Sequence, residues 1–194
     1  IKIRRRRRIW KNMARQEVKI PHERVAVLIG VNGAVKKRIE EKMRAQIFID
    51  SQEGDVMIEG ENSLQVFECV SIIKAIGRGF NPSVVELLFN EDNMFDLINI
   101  QDYIGRSKKD MMRMKGRVIG REGKAREMVE DATETHIVVY GKTIGFIGEI
   151  ENVAVARHAM EMLLEGSPHG NVFNWLENKK RELIKKRFES GKGF

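Results

Sequence analysis

Two pairs of glycines with the same spacing are the residues best suited to bind a ligand. Residues 30–33, the first glycine loop, read Gly-Val-Asn-Gly, and residues 120–123, the second glycine loop, read Gly-Arg-Glu-Gly. Glycine has no Cβ and takes positive φ angles freely, so another chain can lie against its backbone. Each loop precedes a helical pattern, whose first N–H groups attract anions, and this predicts binding of a sugar-phosphate backbone. The predicted contacts are Gly30, Val31, Asn32, Gly33, Gly120, Arg121, Glu122 and Gly123.

Basic residues surround the second glycine loop more densely than the first. Glu122 is the only acid between residues 112 and 126, whereas the first loop is uncharged and is followed by basic residues at 36–38. Each Lys or Arg that neutralises a phosphate strengthens binding and makes it more dependent on salt. We therefore expect the second loop to carry most of the affinity, and the first to assist or to hold another protein. Further predicted contacts are Arg113, Lys115, Arg117, Ile119, Lys124 and Arg126.

Residues that could support catalysis do not converge. The chain has no G-x-x-x-x-G-K-[ST] loop, and its four histidines fall in different predicted elements without the spacing of metal ligands. Asp50, Asp55, Asp102 and Asp131 could suggest a nuclease, but they lie at predicted strand ends and turns, where Asp is common. The single cysteine, Cys69, fits a helical pattern as a small apolar residue. We expect no catalysis, no metal and no cofactor.

The chain repeats itself at an offset of 90 residues. The segment VLIGVNGAVKKRIEEKMRAQIFID, residues 27–50, aligns with RVIGREGKAREMVEDATETHIVVY, residues 117–140. The glycine loops match, and so do Glu40 and Glu130. The alignment continues with one residue fewer in the turn of the second predicted hairpin, where a deletion is easily tolerated. A period of this length predicts a duplicated domain rather than a solenoid.

Each copy has the pattern strand, helix, helix, strand, strand, helix, with the glycine loop between the first two helices. The first strands are predicted at EVKIP, residues 17–21, and LINIQDY, residues 97–103. Three antiparallel strands with helices on one face make an α+β fold. Apolar helix positions spaced for core packing include Leu64, Val66, Phe67, Val70, Ile73 and Ile76 in the first copy, and Ala125, Met128, Val129 and Ala132 in the second.

The domain boundaries follow from the repeat and from changes in composition. Five consecutive arginines at 4–8 are typical of a solvated arm, and Asn81-Pro82 opens a short helix between the copies. After Ser167-Pro168 a last helix is predicted, with Val172, Trp175, Leu176 and Ile184 on one face. The predicted segments are a basic arm at 1–15, a first domain at 16–79, a connector at 80–93, a second domain at 94–166 and a basic helix at 167–194.

The charge balance favours an anionic partner. Lys and Arg outnumber Asp and Glu by 35 to 28 in the 194 residues, which gives a formal charge of +7. A balance of this size favours nucleic acid over a membrane surface. No run of eighteen apolar residues is present, so we expect no membrane span. A single cysteine is typical of a reducing compartment, and we expect a cytoplasmic protein.

The repeated pattern I-G-x-x-G, helix, two strands and helix resembles the eukaryotic-type (type I) KH domain over about residues 16–166. The resemblance implies two tandem KH domains whose GXXG loops clamp four nucleotides of single-stranded RNA or DNA. By the same resemblance Ile29, Ile119 and Val129 could line a groove for bases. Packing in the core is the favoured alternative for Val129.

Three longer motifs are similar to the Krr/partner-of-Nob family of ribosome-assembly proteins in its short archaeal form. They are KGRVIGREGK at 115–124, VYGKT at 139–143 and GSPHG at 166–170. The resemblance implies binding of small-subunit ribosomal RNA near its 3′ end, without chemistry of its own. It also implies two partners, the Nob endonuclease, which performs the cleavage, and the alpha subunit of translation initiation factor two. In eukaryotic members the first glycine loop is degenerate, whereas residues 30–33 are intact here.

Two alternatives to the ribosome-assembly hypothesis stay open. A KH-fold adaptor would dock proteins only, and a general RNA-binding regulator would bind RNA unconnected with the ribosome. An RNA-processing nuclease is less favoured, because a competent active site needs partners within reach of one another.

Overall fold

Each half of the chain builds a three-stranded antiparallel sheet with helices on one face. The computed structural model describes residues 13–104 and 107–189, apart from the Arg187 side chain. The chain divides into two compact units between Phe89 and Asn90. The arginine run at 4–8 lies outside the described residues.

The first unit has the predicted order of elements. Its central strand is β3, in the sheet order β1-β3-β2, and both pairings are antiparallel. A short helix, α4, follows in the connector and begins at Pro82 as predicted. The elements are β1 (Ala14–Lys19), α1 (His22–Ile29), α2 (Ala34–Met43), β2 (Ala45–Ile49), β3 (Asp55–Gly60), α3 (Ser63–Gly77) and α4 (Pro82–Val85).

The second unit repeats this architecture and adds a C-terminal helix. Its central strand is β6, in the sheet order β4-β6-β5, again with antiparallel pairs. The elements are β4 (Asn93–Asn99), α5 (Lys108–Ile119), α6 (Lys124–Thr133), β5 (His136–Tyr140), β6 (Thr143–Glu149), α7 (Ile150–Leu164) and α8 (His169–Glu189). The predicted α+β fold and the order β-α-α-β-β-α are therefore confirmed in both units.

The core of each unit lies between the sheet and the helices. Alternate strand residues and one stripe of each helix point into it, which matches the periods of 2 and 3.6 residues in the sequence. The first core includes Val25, Leu28, Ile39, Ile47, Ile58, Val66, Ile73 and Ile76. The second includes Ile98, Val118, Val129, Ile137, Ile144, Phe146, Val153, Leu163, Val172 and Leu176.

The first strand of the second unit lies earlier than the sequence predicts. β4 ends at Asn99, and a 3-10 turn covers Ile100–Tyr103. The Asn99 side chain accepts a hydrogen bond from the N–H of Gln101 at 3.3 Å, and such a contact favours a turn over an extended strand. The predicted strand at 97–103 was wrong in its second half because Ile100 is buried in the turn and extends the apolar alternation.

Four residues of the predicted apolar helix faces are exposed. The side chains of Leu64 and Phe67 are 61% and 64% exposed, and Met128 and Ile184 are also exposed. On α3 the buried stripe runs through Val66, Cys69, Val70, Ile73 and Ile76, so Leu64 and Phe67 lie on the other side of the helix. Apolar spacing predicts that a helix is amphipathic but does not fix the edges of its buried stripe.

The second hairpin is shorter by two residues rather than by one. Ile49 pairs with Val56 across the first hairpin, and Val139 pairs with Ile144 across the second. The missing residues lie in the turn, as predicted. Gly54 and Gly141 both take positive φ angles there.

Candidate nucleic-acid interface

The two glycine loops have the same backbone conformation. Each forms a 3-10 turn between two helices, α1 and α2 in the first unit and α5 and α6 in the second. Gly30 and Gly120 have φ angles of 72° and 75°, and Gly33 and Gly123 have φ angles of 77° and 84°. All four angles lie in the left-handed region that favours glycine. The repeat seen in the sequence is therefore a repeat of backbone geometry.

The first glycine of each loop fits tightly against the following helix. A Cβ at Gly120 would lie 2.6 Å from Ala125 Cβ and 2.7 Å from Ala125 N. A Cβ at Gly30 would lie 2.5 Å from Val35 Cγ2 and 2.9 Å from Val35 N. Since real Cβ atoms do not approach backbone so closely, Gly30 and Gly120 are required by the fold itself.

The second glycine of each loop is open. Among the residues that the structure describes, and apart from the chain neighbours, nothing lies within 4 Å of a Cβ placed at Gly33, and at Gly123 only Glu127 Oε1 does, at 3.7 Å. The neighbouring helices α2 and α6 begin immediately after these glycines, and no side chain in the described part of the protein caps either helix. The first N–H groups of each helix carry a partial positive charge. An open backbone beside an uncapped helix start is an arrangement that can accept a phosphate.

Cations around the second loop are free to meet a ligand. Arg121 and Lys124 are exposed, and neither has an ion pair within the described parts of the chain. Arg113 is exposed and lies 3.2 Å from Asp110, a pairing that contributes little at a surface. Arg113, Lys115 and Ile119 lie on α5, which ends at the loop. Lys124 is the first residue of α6, which begins directly after the loop. These four predicted contacts thus lie on the two helices that flank the loop, and Arg121 lies within it.

Cations near the first loop are paired. Each of the three basic residues that follow it has a glutamate within 4 Å, and Val31 in the loop is 83% exposed and apolar. The pairs are Lys36–Glu40 at 3.1 Å, Lys37–Glu41 at 3.9 Å and Arg38–Glu86 at 2.7 Å. The positive potential at the first loop is therefore weaker than at the second.

Arg126, a predicted contact, has a partner within the fold. Its Nε lies 3.2 Å from Glu130 Oε2, and Glu130 Oε1 accepts a hydrogen bond from the N–H of Ile137 at 2.6 Å. The first unit repeats this link, since Glu40 Oε1 accepts from the N–H of Ile47 at 2.8 Å. The matched glutamates join the helix after the glycine loop to the start of the next strand. Arg126 supports this link.

Arg117, another predicted contact, donates to two backbone carbonyls. Its Nε donates to Leu163 O at 3.0 Å, and its Nη2 donates to Ser167 O at 2.7 Å. In the first unit Arg24 donates in the same way to Ile76 O and Phe80 O. These carbonyls lie at the end of α7 and of α3 and just beyond. Both guanidiniums therefore hold the last turn of a core helix, a role that local spacing could not reveal because the contacts span 46 to 56 residues.

We expect Arg117→Met to lower the free energy of unfolding and to change RNA affinity no more than Arg113→Met does. The variant keeps the apolar stem but leaves two carbonyls without their charged donor, which costs about 1.5–3 kcal/mol of unfolding free energy. Chemical denaturation measures this loss. Arg113→Met is the control, with a stability change of about 0.5 kcal/mol or less. A larger loss of RNA affinity in Arg117→Met than in Arg113→Met would contradict the assignment.

The three residues proposed to line a base groove separate into two groups. Val129 is fully buried in the second core, so the core alternative holds for it. Ile29 and Ile119 are half-buried, each directly before its glycine loop. Ile119 packs against the second core with one side. Of these three residues, Ile29 and Ile119 therefore present apolar surface next to a loop.

Cys69, His158 and His169 each pack or bond within the fold. Burial raises the pKa of the Cys69 thiol to about 12, as befits a small buried residue. His169 Nε2 lies 2.9 Å from Arg117 O, and the His158 ring packs edge-on against Trp175. Within residues 13–104 and 107–189 no three His, Cys, Asp or Glu residues lie together as metal ligands. In the same ranges no helix has the length and apolarity to cross a membrane.

Comparison with protein families agrees with this geometry. Residues 15–75 match the KH domain model, and residues 94–181 match a model described as eukaryotic type KH-domain (KH-domain type I). A KH domain-containing protein of Methanocaldococcus jannaschii is 41% identical over 176 residues, which cover 89% of this chain and 77% of that relative. The RNA-binding protein pno1 of Dictyostelium discoideum is 27% identical, with 81% of this chain and 68% of the relative covered.

Solved structures agree as well. Dim2p from Pyrococcus horikoshii OT3 superposes with a TM-score of 0.78 at 40% identity, covering 85% of this chain and 99% of that one. A chain of the a/eIF2alpha-aDim2p-rRNA complex from the same organism also superposes, with a TM-score of 0.81 at 40% identity. The match covers 88% of this chain and 96% of that one. With two KH domains, matched glycine loops and these relatives, the chain belongs to the archaeal Dim2/Pno1-type family of KH-domain proteins.

Proposed function

We propose that this protein binds single-stranded RNA in the cytoplasm and acts in the maturation of small-subunit ribosomal RNA, near its 3′ end, without catalysis of its own. The observation that carries the proposal is the second glycine loop. Its open Gly123 and the uncapped start of α6 lie among unpaired cations. A single strand can place its phosphates there, because no side chain of the described residues occupies the helix start.

The proposed contacts fall into a primary and a supporting group. The primary contacts are Arg113, Lys115, Ile119, Gly120, Arg121, Glu122, Gly123 and Lys124. Arg117 is held by two hydrogen bonds to carbonyls and Arg126 by an ion pair with Glu130, so both would meet RNA only with their remaining N–H groups. Residues 30–33 form a secondary site. We assign 16–79 and 94–166 to the two KH domains, 80–93 to the connector, 167–194 to the C-terminal helix and 1–15 to a basic arm, except that Ala14 and Arg15 belong to β1 and Asn93 to β4, so both domains begin slightly earlier than the sequence predicts.

The names of the relatives support the link to ribosomal RNA. Relatives from Coccidioides immitis and Schizosaccharomyces pombe are named pre-rRNA-processing proteins. The aDim2p of Pyrococcus horikoshii has been solved together with a/eIF2alpha and rRNA. We extend these properties to the present chain and propose the alpha subunit of translation initiation factor two as a partner. The family resemblance adds the Nob endonuclease as a second proposed partner.

A second candidate function concerns the first unit alone. Its loop exposes Val31 and is followed by cations that are paired with glutamates. A surface of this kind suits a protein partner better than a phosphate backbone. We propose that the second unit supplies most of the RNA affinity, while the first assists or holds a protein.

Fluorescence anisotropy on the full chain tests the proposed function. The probes are a labelled oligonucleotide from the 3′ end of small-subunit ribosomal RNA, a scrambled strand and a duplex. We expect preferential binding of the first strand, with affinity falling steeply as salt rises. Equal binding of the scrambled strand would favour a general RNA-binding regulator. Absence of binding would favour an adaptor, and cleavage of the probe on addition of a divalent metal would favour a nuclease.

A further inference from the structure

Glu122 occupies a backbone conformation that a glutamate adopts reluctantly. Its φ and ψ are 54° and 24°, within the left-handed region. Asn32, the matching residue of the first loop, takes nearly the same angles, 51° and 28°. Asparagine tolerates this region well, whereas glutamate gains nothing from its longer side chain there. The loop geometry therefore does not explain why the second copy has a glutamate.

The carboxylate of Glu122 is also the wrong charge for a site that receives only phosphates. It is exposed, and within the described residues it makes no ion pair with Arg121, Lys124 or any other cation. A carboxylate facing a phosphate backbone repels it, and a neutral residue at this position would bind a polyanion more strongly. A ligand that binds favourably beside this carboxylate would offer it a hydrogen-bond donor.

The backbone of a single strand carries one such donor. Phosphate oxygens only accept hydrogen bonds, whereas the ribose 2′-hydroxyl can donate as well as accept. An ionised carboxylate only accepts. A glycine loop of this fold lies against sugar and phosphate rather than against base edges. The 2′-hydroxyl is therefore the hydrogen-bond donor of the strand that lies closest to the loop. DNA has no donor at this position and would leave the carboxylate opposed only by phosphates.

We propose that Glu122 makes the second glycine loop select RNA over DNA, by accepting a hydrogen bond from a ribose 2′-hydroxyl. The inference rests on the proposed function, since it names the sugar that the second loop binds. The first loop has neutral Asn32 at the matching position, and its amide oxygen is a weaker acceptor, so we expect the first loop to discriminate less between RNA and DNA. Glu122 thus lowers overall affinity for polyanions and raises discrimination between the two nucleic acids.

A purely structural role for Glu122 predicts a different result. An acidic residue near the first turn of α6 interacts favourably with the helix dipole and stabilises the helix. Removal of that charge would then lower thermal stability and would change RNA and DNA affinity by the same factor. The ratio of the two affinities separates the explanations, because repulsion between the carboxylate and phosphates is common to both ligands.

The test compares RNA and DNA strands of one sequence on the full chain at fixed salt. Val31→Asp and Asn32→Asp are present throughout, so that the second loop dominates binding. We expect Glu122→Gln to lower the RNA-to-DNA affinity ratio about fivefold to tenfold, the difference between a charged and a neutral acceptor. A strand with 2′-O-methyl riboses should behave like DNA with Glu122 present. Arg121→Gln is the control, and it should weaken both ligands without changing the ratio.

The outcomes separate the inference from the proposed function. An unchanged ratio in Glu122→Gln, with RNA still bound, would overturn the role of Glu122 and leave the RNA-binding function standing. Failure of the protein with an unaltered Glu122 to bind any single strand would overturn the proposed function itself. Melting temperatures of both variants show that the fold is retained, so a loss of structure cannot be mistaken for a loss of selectivity.

Discussion

Replacing Arg121 and Lys124 together by aspartate is expected to reduce RNA affinity at least about 100-fold at moderate salt. Both cations are exposed and unpaired among the described residues, and they flank the open Gly123 and the uncapped start of α6. The double change removes two cations and adds two anions beside a ligand that is itself a polyanion. Loss of two phosphate contacts should also lower the slope of log affinity against log salt by about 1.4. Anisotropy over a series of salt concentrations measures both quantities.

The matched control changes the first loop in the same way. Val31→Asp and Ala34→Asp add two anions at the positions that match Arg121 and Lys124, but no free cation of that loop is lost. We expect a smaller loss of affinity, about tenfold or less, and no decrease in the salt slope. Equal losses in the two double variants would refute the ranking of the loops.

The two glycines of the second loop are expected to respond differently to alanine. Gly120→Ala places a Cβ 2.7 Å from the backbone N of Ala125 and strains a φ of 75°. The backbone cannot move aside easily, so we expect a loss of about 2–4 kcal/mol in unfolding free energy. Gly123→Ala strains a φ of 84° but meets only Glu127 Oε1 at 3.7 Å, and the expected loss is about 1 kcal/mol. Urea denaturation measures both losses.

The RNA affinity of Gly123→Ala should fall even though the variant loses little unfolding free energy. The methyl group of Gly123→Ala stands where we expect the sugar-phosphate backbone to lie, so affinity should fall about tenfold or more although the fold is kept. Gly33→Ala is the matched control, because its Cβ likewise has room among the described residues and we expect the first loop to contribute less affinity. If Gly123→Ala bound RNA as tightly as the unaltered protein, the strand would not lie against that glycine.

Local patterns in the sequence predicted the parts of the fold that local physics determines. The glycine loops and their repeat at 90 residues were visible because positive φ angles demand glycine at fixed spacings. The order of strands and helices followed from apolar periods of 2 and 3.6 residues. The boundary of β4 was missed because the Asn99 turn continues an apolar alternation. Exposure of Leu64 and Phe67 was missed because periodicity does not place the edge of a buried stripe.

Contacts between distant segments could not be predicted in this way. Arg117 was counted among the RNA contacts by its charge and its nearness to Gly120, yet its guanidinium binds carbonyls 46 and 50 residues away. The pairing of Arg38 with Glu86 likewise joins α2 to the connector. Charge alone shows which side chains could meet a phosphate, and only the fold shows which of them have other partners. The fold shows that Arg117 and Arg126 have partners within the protein, whereas Arg121 and Lys124 have no ion pair among the described residues.

The most direct test of the central claim follows the backbone amide signals of the two glycine loops by NMR while a strand from the 3′ end of small-subunit ribosomal RNA is added. We expect the largest chemical-shift changes at residues 120–124, smaller changes at 30–34 and little change in the sheets. Tight binding of the strand with the amides of 120–124 unmoved would contradict the central claim.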